Sequence, residues 1–130
     1  MAVGILLVTH PGIGTALAAV AGRLLGPLPL VVEVFEVSFD ADPDEALPAA
    51  SAALRRADAG DGVLVLTDVY GATPANLGAR LAQLGTPVRR VSALSLPMLL
   101  RVLNYPELAL DELPAVAAAG ARNGVVHDDA

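Results

Sequence analysis

The residues of this 130-residue chain whose types and spacing could do chemistry are His10 and Asp68. Each follows a short apolar run. An imidazole is nucleophilic near neutral pH, and a carboxylate bonded to one ring nitrogen fixes the tautomer that leaves the other nitrogen free to attack. A histidine so placed can serve as a base, a metal ligand or a covalent nucleophile. Shortly after Asp68 comes Gly71-Ala72-Thr73-Pro74, which reads as a loop entering a helix. Unpaired backbone N–H groups and the helix dipole favour an anion at such a point. The small residues allow close approach, and the Thr73 hydroxyl adds a donor. A histidine facing an anion cradle, with a carboxylate behind it, suits transient phosphorylation of the ring. Metal binding would need further histidines or carboxylates close by, and the sequence offers none there.

Each feature also has a plainer reading. A lone histidine at a strand end is commonly an ordinary polar residue, Asp68 can be a turn or cap residue, and Thr73-Pro74 is a common way to start a helix. What favours function is that all three fall at one rim of the fold. His127 lies near the carboxyl terminus and reads as a surface residue.

That rim follows from the elements that must position these residues. Residues 4–8 form a short apolar run ending in Thr9-His10-Pro11-Gly12, and Ile13–Leu25 carries apolar residues at helical spacing, stopping at Gly26-Pro27. Residues 30–37 are β-branched and partly alternating, with Glu33 and Glu36 interspersed, as in a strand exposed on one face or near an edge. Asp42-Pro43-Asp44-Glu45 predicts an N-cap, a proline at the first helical position and the reciprocal member of a capping box, opening a helix that runs to about Ala57. Residues 62–67 are a continuous apolar run, as expected of a strand buried on both faces. Thr73, as N-cap, and Pro74 open a helix ending near Gly85. A fourth strand is expected over 88–94, a short helix over Leu96–Leu103, and a last helix over 111–121 capped by Asp111. Residues 124–126 are the candidate for a final short strand. Strands alternating with helices imply right-handed crossovers and a doubly wound, mainly parallel four-stranded α/β sheet with helices on both faces. With no repeat and no break in composition, residues 1–130 are expected to form one domain. In such sheets ligands bind outside the carboxyl ends of the strands, where strand order reverses. The loops at 9–14, 68–73 and 92–97 therefore carry any site.

Composition removes other classes. The chain is 55% hydrophobic, with 25 Ala and 22 Leu but only 3% aromatics, which describes a helix-rich, finely packed core and excludes intrinsic disorder. The absence of cysteine excludes a disulfide scaffold and thiol catalysis. All eight basic residues are Arg, against fourteen acidic ones, for a net charge of −6. No basic cluster exists to bind nucleic acid, and without lysine there is neither Schiff-base chemistry nor a P-loop. No apolar run approaches the roughly 20 residues of a membrane span, and the opening run lacks the charge of a signal peptide, so a cytoplasmic domain without membrane insertion is expected. Pro11-Gly12-Ile13-Gly14 begins like a dinucleotide fingerprint, but Leu17 occupies the third glycine position, which discards that reading.

Three segments carry a family resemblance: residues 4–10 (Gly-Ile-Leu-Leu-Val-Thr-His), 63–76 (Val-Leu-Val-Leu-Thr-Asp-Val-Tyr-Gly-Ala-Thr-Pro-Ala-Asn) and 96–99 (Leu-Pro-Met-Leu). In this order and spacing they resemble the mannose/fructose-family IIA component of the bacterial sugar phosphotransferase system, over nearly the whole chain. The resemblance implies a phosphotransferase acting as a phosphohistidine carrier. His10 would take a phosphoryl group from phospho-HPr and pass it to a IIB component. Asp68 matches the family's supporting aspartate, and Thr73 its small hydroxyl residue at the helix start, where Gly71, Ala72 and Thr73 would hold the phosphoryl oxygens. No cofactor is implied. The family fold ends in an antiparallel edge strand exchanged across a homodimer, for which residues 124–126 are the candidate. Tyr70 fills the family's aromatic position, and Ser95 stands where relatives commonly have Asn. The acceptor is expected to be a separate IIB protein, or none. Three other readings compete: a regulatory switch using the charge of phosphorylated His10 to select partners, the phosphocarrier subunit of a dihydroxyacetone kinase, and a small-ligand binding module without phosphoryl transfer. The sugar itself is not encoded in a IIA component.

Overall fold

The computed structural model describes residues 2–128. In chain order the elements are β1 (Ala2–Thr9), α1 (Ile13–Leu25), β2 (Val32–Glu36), α2 (Pro43–Ala57), β3 (Gly60–Thr67), α3 (Thr73–Leu81), β4 (Val88–Val91), α4 (Leu96–Leu103), a 3-10 turn (Leu110–Glu112) and α5 (Leu113–Asn123). The four strands form one parallel sheet in the order β2-β1-β3-β4. This is the doubly wound α/β arrangement the alternating pattern predicts.

Side chains on a strand alternate between faces, so a continuous apolar run fits only a strand covered on both sides. β1 and β3 show this directly. Ile5, Leu7, Leu64 and Leu66 pack on one face with Ala21 of α1, Met98, Leu99, Val102 and Leu103 of α4, and Leu113 and Ala117 of α5. Leu6, Val8, Val63 and Val65 pack on the other with Ala50, Ala53 and Leu54 of α2 and Leu77 and Leu81 of α3. The many alanines let these helices lie close to the sheet. At Gly4 the approach is closer still, since a Cβ there would collide with the Ala57 carbonyl. β2 is an edge strand with every residue half-buried, as its interspersed glutamates predict.

Several boundaries differ from expectation for local reasons. β1 reaches back to Ala2 and β3 to Gly60, because the two pair from Ala2↔Gly60 onward. β4 stops at Val91 instead of 94: Ala93 takes a left-handed backbone (φ 69°), and the Leu94 N–H turns to the Thr67 carbonyl at 2.9 Å. Asp42 caps α2 as predicted, accepting the Asp44 N–H at 2.9 Å, but no return bond from Glu45 is present among the described residues. Thr73 is not the N-cap of α3; that position is Ala72, and Thr73 is the first helical residue. The helix ends at Leu81, short of Gly85. Nor does Asp111 cap α5. It sits in the 3-10 turn and pairs with Arg89 at 2.7 Å, so the helix proper starts at Leu113. Residues 124–126 join no strand within this chain. The Gly124 and Val125 N–H groups bond back to Gly120 and Arg122, prolonging the end of α5. Among the described residues no helix is long and apolar enough to cross a membrane.

Candidate functional site

Strand order reverses between β1 and β3: the chain steps outward from β1 to β2 on one side of the sheet and from β3 to β4 on the other. The crevice at their carboxyl ends is where a doubly wound sheet presents ligands. β1 ends in Thr9 and delivers His10; β3 ends in Thr67 and delivers Asp68. The pairing Val8↔Thr67 brings Asp68 level with Thr9, so its side chain has only one residue further to reach to meet His10.

Asp68 Oδ2 accepts two hydrogen bonds from one residue: the His10 backbone N–H at 2.9 Å and His10 Nδ1 at 2.8 Å. The carboxyl is nearly buried, with 5% side-chain exposure, whereas the imidazole is 26% exposed. Its other oxygen accepts the Val69 N–H at 3.1 Å. A carboxylate only accepts, so the proton between the two groups resides on Nδ1. Nε2 then carries the free lone pair, and it has no hydrogen-bond partner among the described residues.

The backbone around His10 is held by residues on three elements. Buried Thr9 donates its hydroxyl to the His10 carbonyl at 2.8 Å and accepts the Gly14 N–H at 2.9 Å, closing the turn between β1 and α1. Gly12 needs its positive φ of 88° to make that turn. Glu36, the last residue of β2, accepts the Thr15 N–H at 3.0 Å. Bonds from the Gly12 backbone first, then from Thr15, hold the Glu36 carboxyl below its usual range. Phe39, in the β2–α2 connection, lays its ring near the imidazole, with centroids 5.6 Å apart and planes inclined by 30°. Glu36 and Phe39 were not legible as site residues. Glu36 reads from sequence as part of a strand exposed on one face or near an edge, and nothing in the sequence singles out Phe39.

The third component is the start of α3. Gly71 has a positive φ of 86°, Ala72 is the N-cap without a side-chain bond, and no acidic residue lies in the first turn. The first intrahelical bond runs from the Asn76 N–H to the Ala72 carbonyl. The N–H groups of Thr73 and Ala75 therefore precede the helical ladder, Pro74 having none. The Ala72 N–H makes only a long 3.4 Å bond to Val69, and the Thr73 hydroxyl has no partner among the described residues. In the loop after β4, Ser95 caps α4 by accepting the Met98 N–H at 3.3 Å. The loops after β1 and β3 are thus joined through His10 and Asp68, with an uncapped helix start following directly.

A family model described as the PTS system fructose IIA component matches residues 4–117. The chain belongs to that family, which assigns it a role in the sugar phosphotransferase system. Among curated proteins none matches it significantly. Its fold is shared with the mannose/sorbose-specific IIA subunit of the phosphotransferase system from Enterococcus faecalis, at TM-score 0.87 and 23% identity over 100% of this chain and 97% of that one. It is shared also with phosphotransferase component EIIA from Streptococcus agalactiae, at TM-score 0.81 and 20% identity over 96% of each chain. The IIA protein associated with the fucose utilization operon of Streptococcus pneumoniae is similar at TM-score 0.72 and 21% identity, over 98% of this chain and 96% of that one.

Proposed function

We propose that this chain is a phosphohistidine carrier: His10 accepts a phosphoryl group from phospho-HPr and passes it to a IIB component. The observation that supports it most is the division of labour on the imidazole. Asp68 holds Nδ1 at 2.8 Å, which leaves Nε2 as the unpartnered nitrogen. Nε2 attacks phosphorus as the N–P bond to the donor histidine breaks, and the electron pair of that bond returns to the donor ring. The Nδ1 proton stays on His10, where the Asp68 carboxylate offsets the positive charge that develops on the phosphorylated ring. Transfer onward is the same step with the roles exchanged.

Phosphoryl transfer asks a protein for positioning and electrostatic stabilisation more than for covalent chemistry. In this reading Gly71, Ala72 and Thr73 receive the phosphoryl oxygens, using the open N–H groups at the start of α3 and the free Thr73 hydroxyl. Residues 1–130 act as one IIA unit on the cytoplasmic side. A homodimer would pair residues 124–126 with the edge of β4, and Val125 and Val126 are each 78% exposed in the single chain.

The test is discharge. Phosphorylated protein is mixed with purified IIB proteins of the mannose/fructose type, and the phosphoryl group is followed by intact mass. Transfer to at least one IIB, with return of unmodified carrier, is expected. A phosphoprotein that no IIB discharges, but whose partner binding changes, would replace the carrier reading with that of a regulatory switch.

A further inference from the structure

A polar cavity opens at the carboxyl ends of β3 and β4. It has a volume of about 400 Å³ and lies between α3 and the end of β4, lined by Thr67, Tyr70, Gly71, Asn76, Arg90 and Ser92, with Ala75 and Ala79 as its apolar floor. No Asp or Glu lines it, in a chain whose net charge is −6. Arg90 makes no ion pair among the described residues, whereas its neighbour Arg89 is paired with Asp111. The aliphatic stem of Arg90 passes over α3 at Gly78: a Cβ on that glycine would stand 3.9 Å from Arg90 Cδ. Arg90 thus runs along α3 and lines the cavity.

The hydroxyls beside it add a second, independent observation. Thr67 is only 2% exposed, and its Oγ1 shares one 2.8 Å hydrogen bond with Ser92 Oγ. Two hydroxyls carry two protons, and that bond uses one. The accepting hydroxyl's own proton has no acceptor among the described residues. Asn76 contributes an amide NH2, and Tyr70 a phenol. Donors that converge without an acidic neighbour select an oxyanion. A guanidinium fork, a spare hydroxyl proton and an amide together suit the three oxygens of a phosphate better than the two of a carboxylate. The remaining volume and apolar floor leave room for a small organic body.

We propose that this cavity is a binding site for a small organic phosphate, adjoining the His10 site at Gly71 and anchored by Arg90. Gly71 belongs to both places, so an anion bound here and a phosphoryl group at His10 repel each other. Binding itself requires no step of the carrier reaction.

The test is a titration of the full, unphosphorylated chain with glucose 6-phosphate, followed by backbone amide shifts, with glucose as the uncharged control. Four proteins are compared: the unaltered chain, Arg90→Gln, Asn76→Asp and His10→Ala. Saturable shifts at Gly71, Asn76 and Ser92 are expected in the unaltered chain and in His10→Ala. Affinity should fall by about 10-fold or more in Arg90→Gln, and in Asn76→Asp, which places a negative charge at the mouth, binding should vanish. Arg90 and Asn76 are both exposed, so these changes leave the core intact. Absence of saturable shifts, equal shifts with glucose, or binding that survives both cavity variants would overturn the proposal. So would loss of binding in His10→Ala, which would place the phosphate at the histidine. The carrier reading fails on a different readout, phosphoryl acceptance from phospho-HPr, so the two failures are distinguishable.

Discussion

One oxygen of Asp68 holds His10 at two points, accepting the backbone N–H at 2.9 Å and Nδ1 at 2.8 Å. The first bond fixes where the residue sits, and the second fixes how its ring is turned. Because the carboxyl comes from β3 and the histidine from β1, the rotation of the imidazole is set by the register of the two central strands. The reactive geometry is thereby built on the most buried part of the sheet.

Asp68→Asn separates these roles. The amide oxygen still accepts one donor, so the turn survives, but the negative charge facing Nδ1 is gone. Phosphorylation of His10 by phospho-HPr should slow by about 10²-fold, while the melting temperature changes little. Rapid-quench phosphorylation and thermal melts check this; equal rates for variant and unaltered protein would refute the role of Asp68.

Glu36 predicts a pH-dependent anchor. Its folded pKa is depressed by the Gly12 and Thr15 bonds, so its contribution to stability is fully present above the ordinary value of 4.5 and fades as pH falls below it. Glu36→Gln should therefore be less stable than the unaltered chain near pH 7. The gap should narrow on acidification below that value. Denaturant titrations at several pH values give the comparison, and a gap that stays constant would remove the charge from the explanation.

Two glycines should respond differently to alanine. At Gly14 a new Cβ would lie 2.8 Å from Val34 Cγ1 and 3.0 Å from Thr9 Oγ1, side-chain atoms that can yield. Gly14→Ala should cost about 1–3 kcal/mol and slow phosphorylation by disturbing the Thr9 bond. At Gly4 the obstacle is the Ala57 backbone carbonyl, which cannot move without shifting α2. Gly4→Ala should be the more destabilising of the two by urea denaturation.

Ser95→Ala removes the cap of α4 and should cost about 1 kcal/mol. Ser95→Asn keeps an accepting oxygen at the same place and should lie close to the unaltered chain. Melting curves of the three proteins decide whether the cap, rather than the side-chain volume, is what matters at that position.

The parts of this molecule legible in the sequence are those fixed by local pattern. The alternation of Ile5 and Leu7 against Leu6 and Val8 is hidden within a plain apolar run, and the run itself announces a strand covered on both faces. Gly26-Pro27 ends α1 where the pattern predicts, and α4 spans the expected Leu96–Leu103 with Pro97 in its first turn. His10 and Asp68 could be placed at one rim because both terminate such strands. What was illegible depends on partners distant in sequence. Asp111 looks like a cap until Arg89 draws it away, and β4 looks longer until Ala93 turns out of the sheet. Thr73 looks like an N-cap because Thr-Pro commonly is one, yet Ala72 takes that position and the threonine hydroxyl has no partner among the described residues. Glu36 and Phe39 acquire their positions beside the histidine loop only through the pairing of β2 with β1.

Phosphoryl acceptance by His10 is tested directly by one measurement. The unaltered chain and His10→Ala are incubated with phosphoenolpyruvate, enzyme I and HPr, and read by intact mass. A single acid-labile phosphoryl group is expected on the unaltered chain and none on the variant. Phosphorylation of both proteins would move the acceptor away from His10, and phosphorylation of neither would contradict the carrier function altogether.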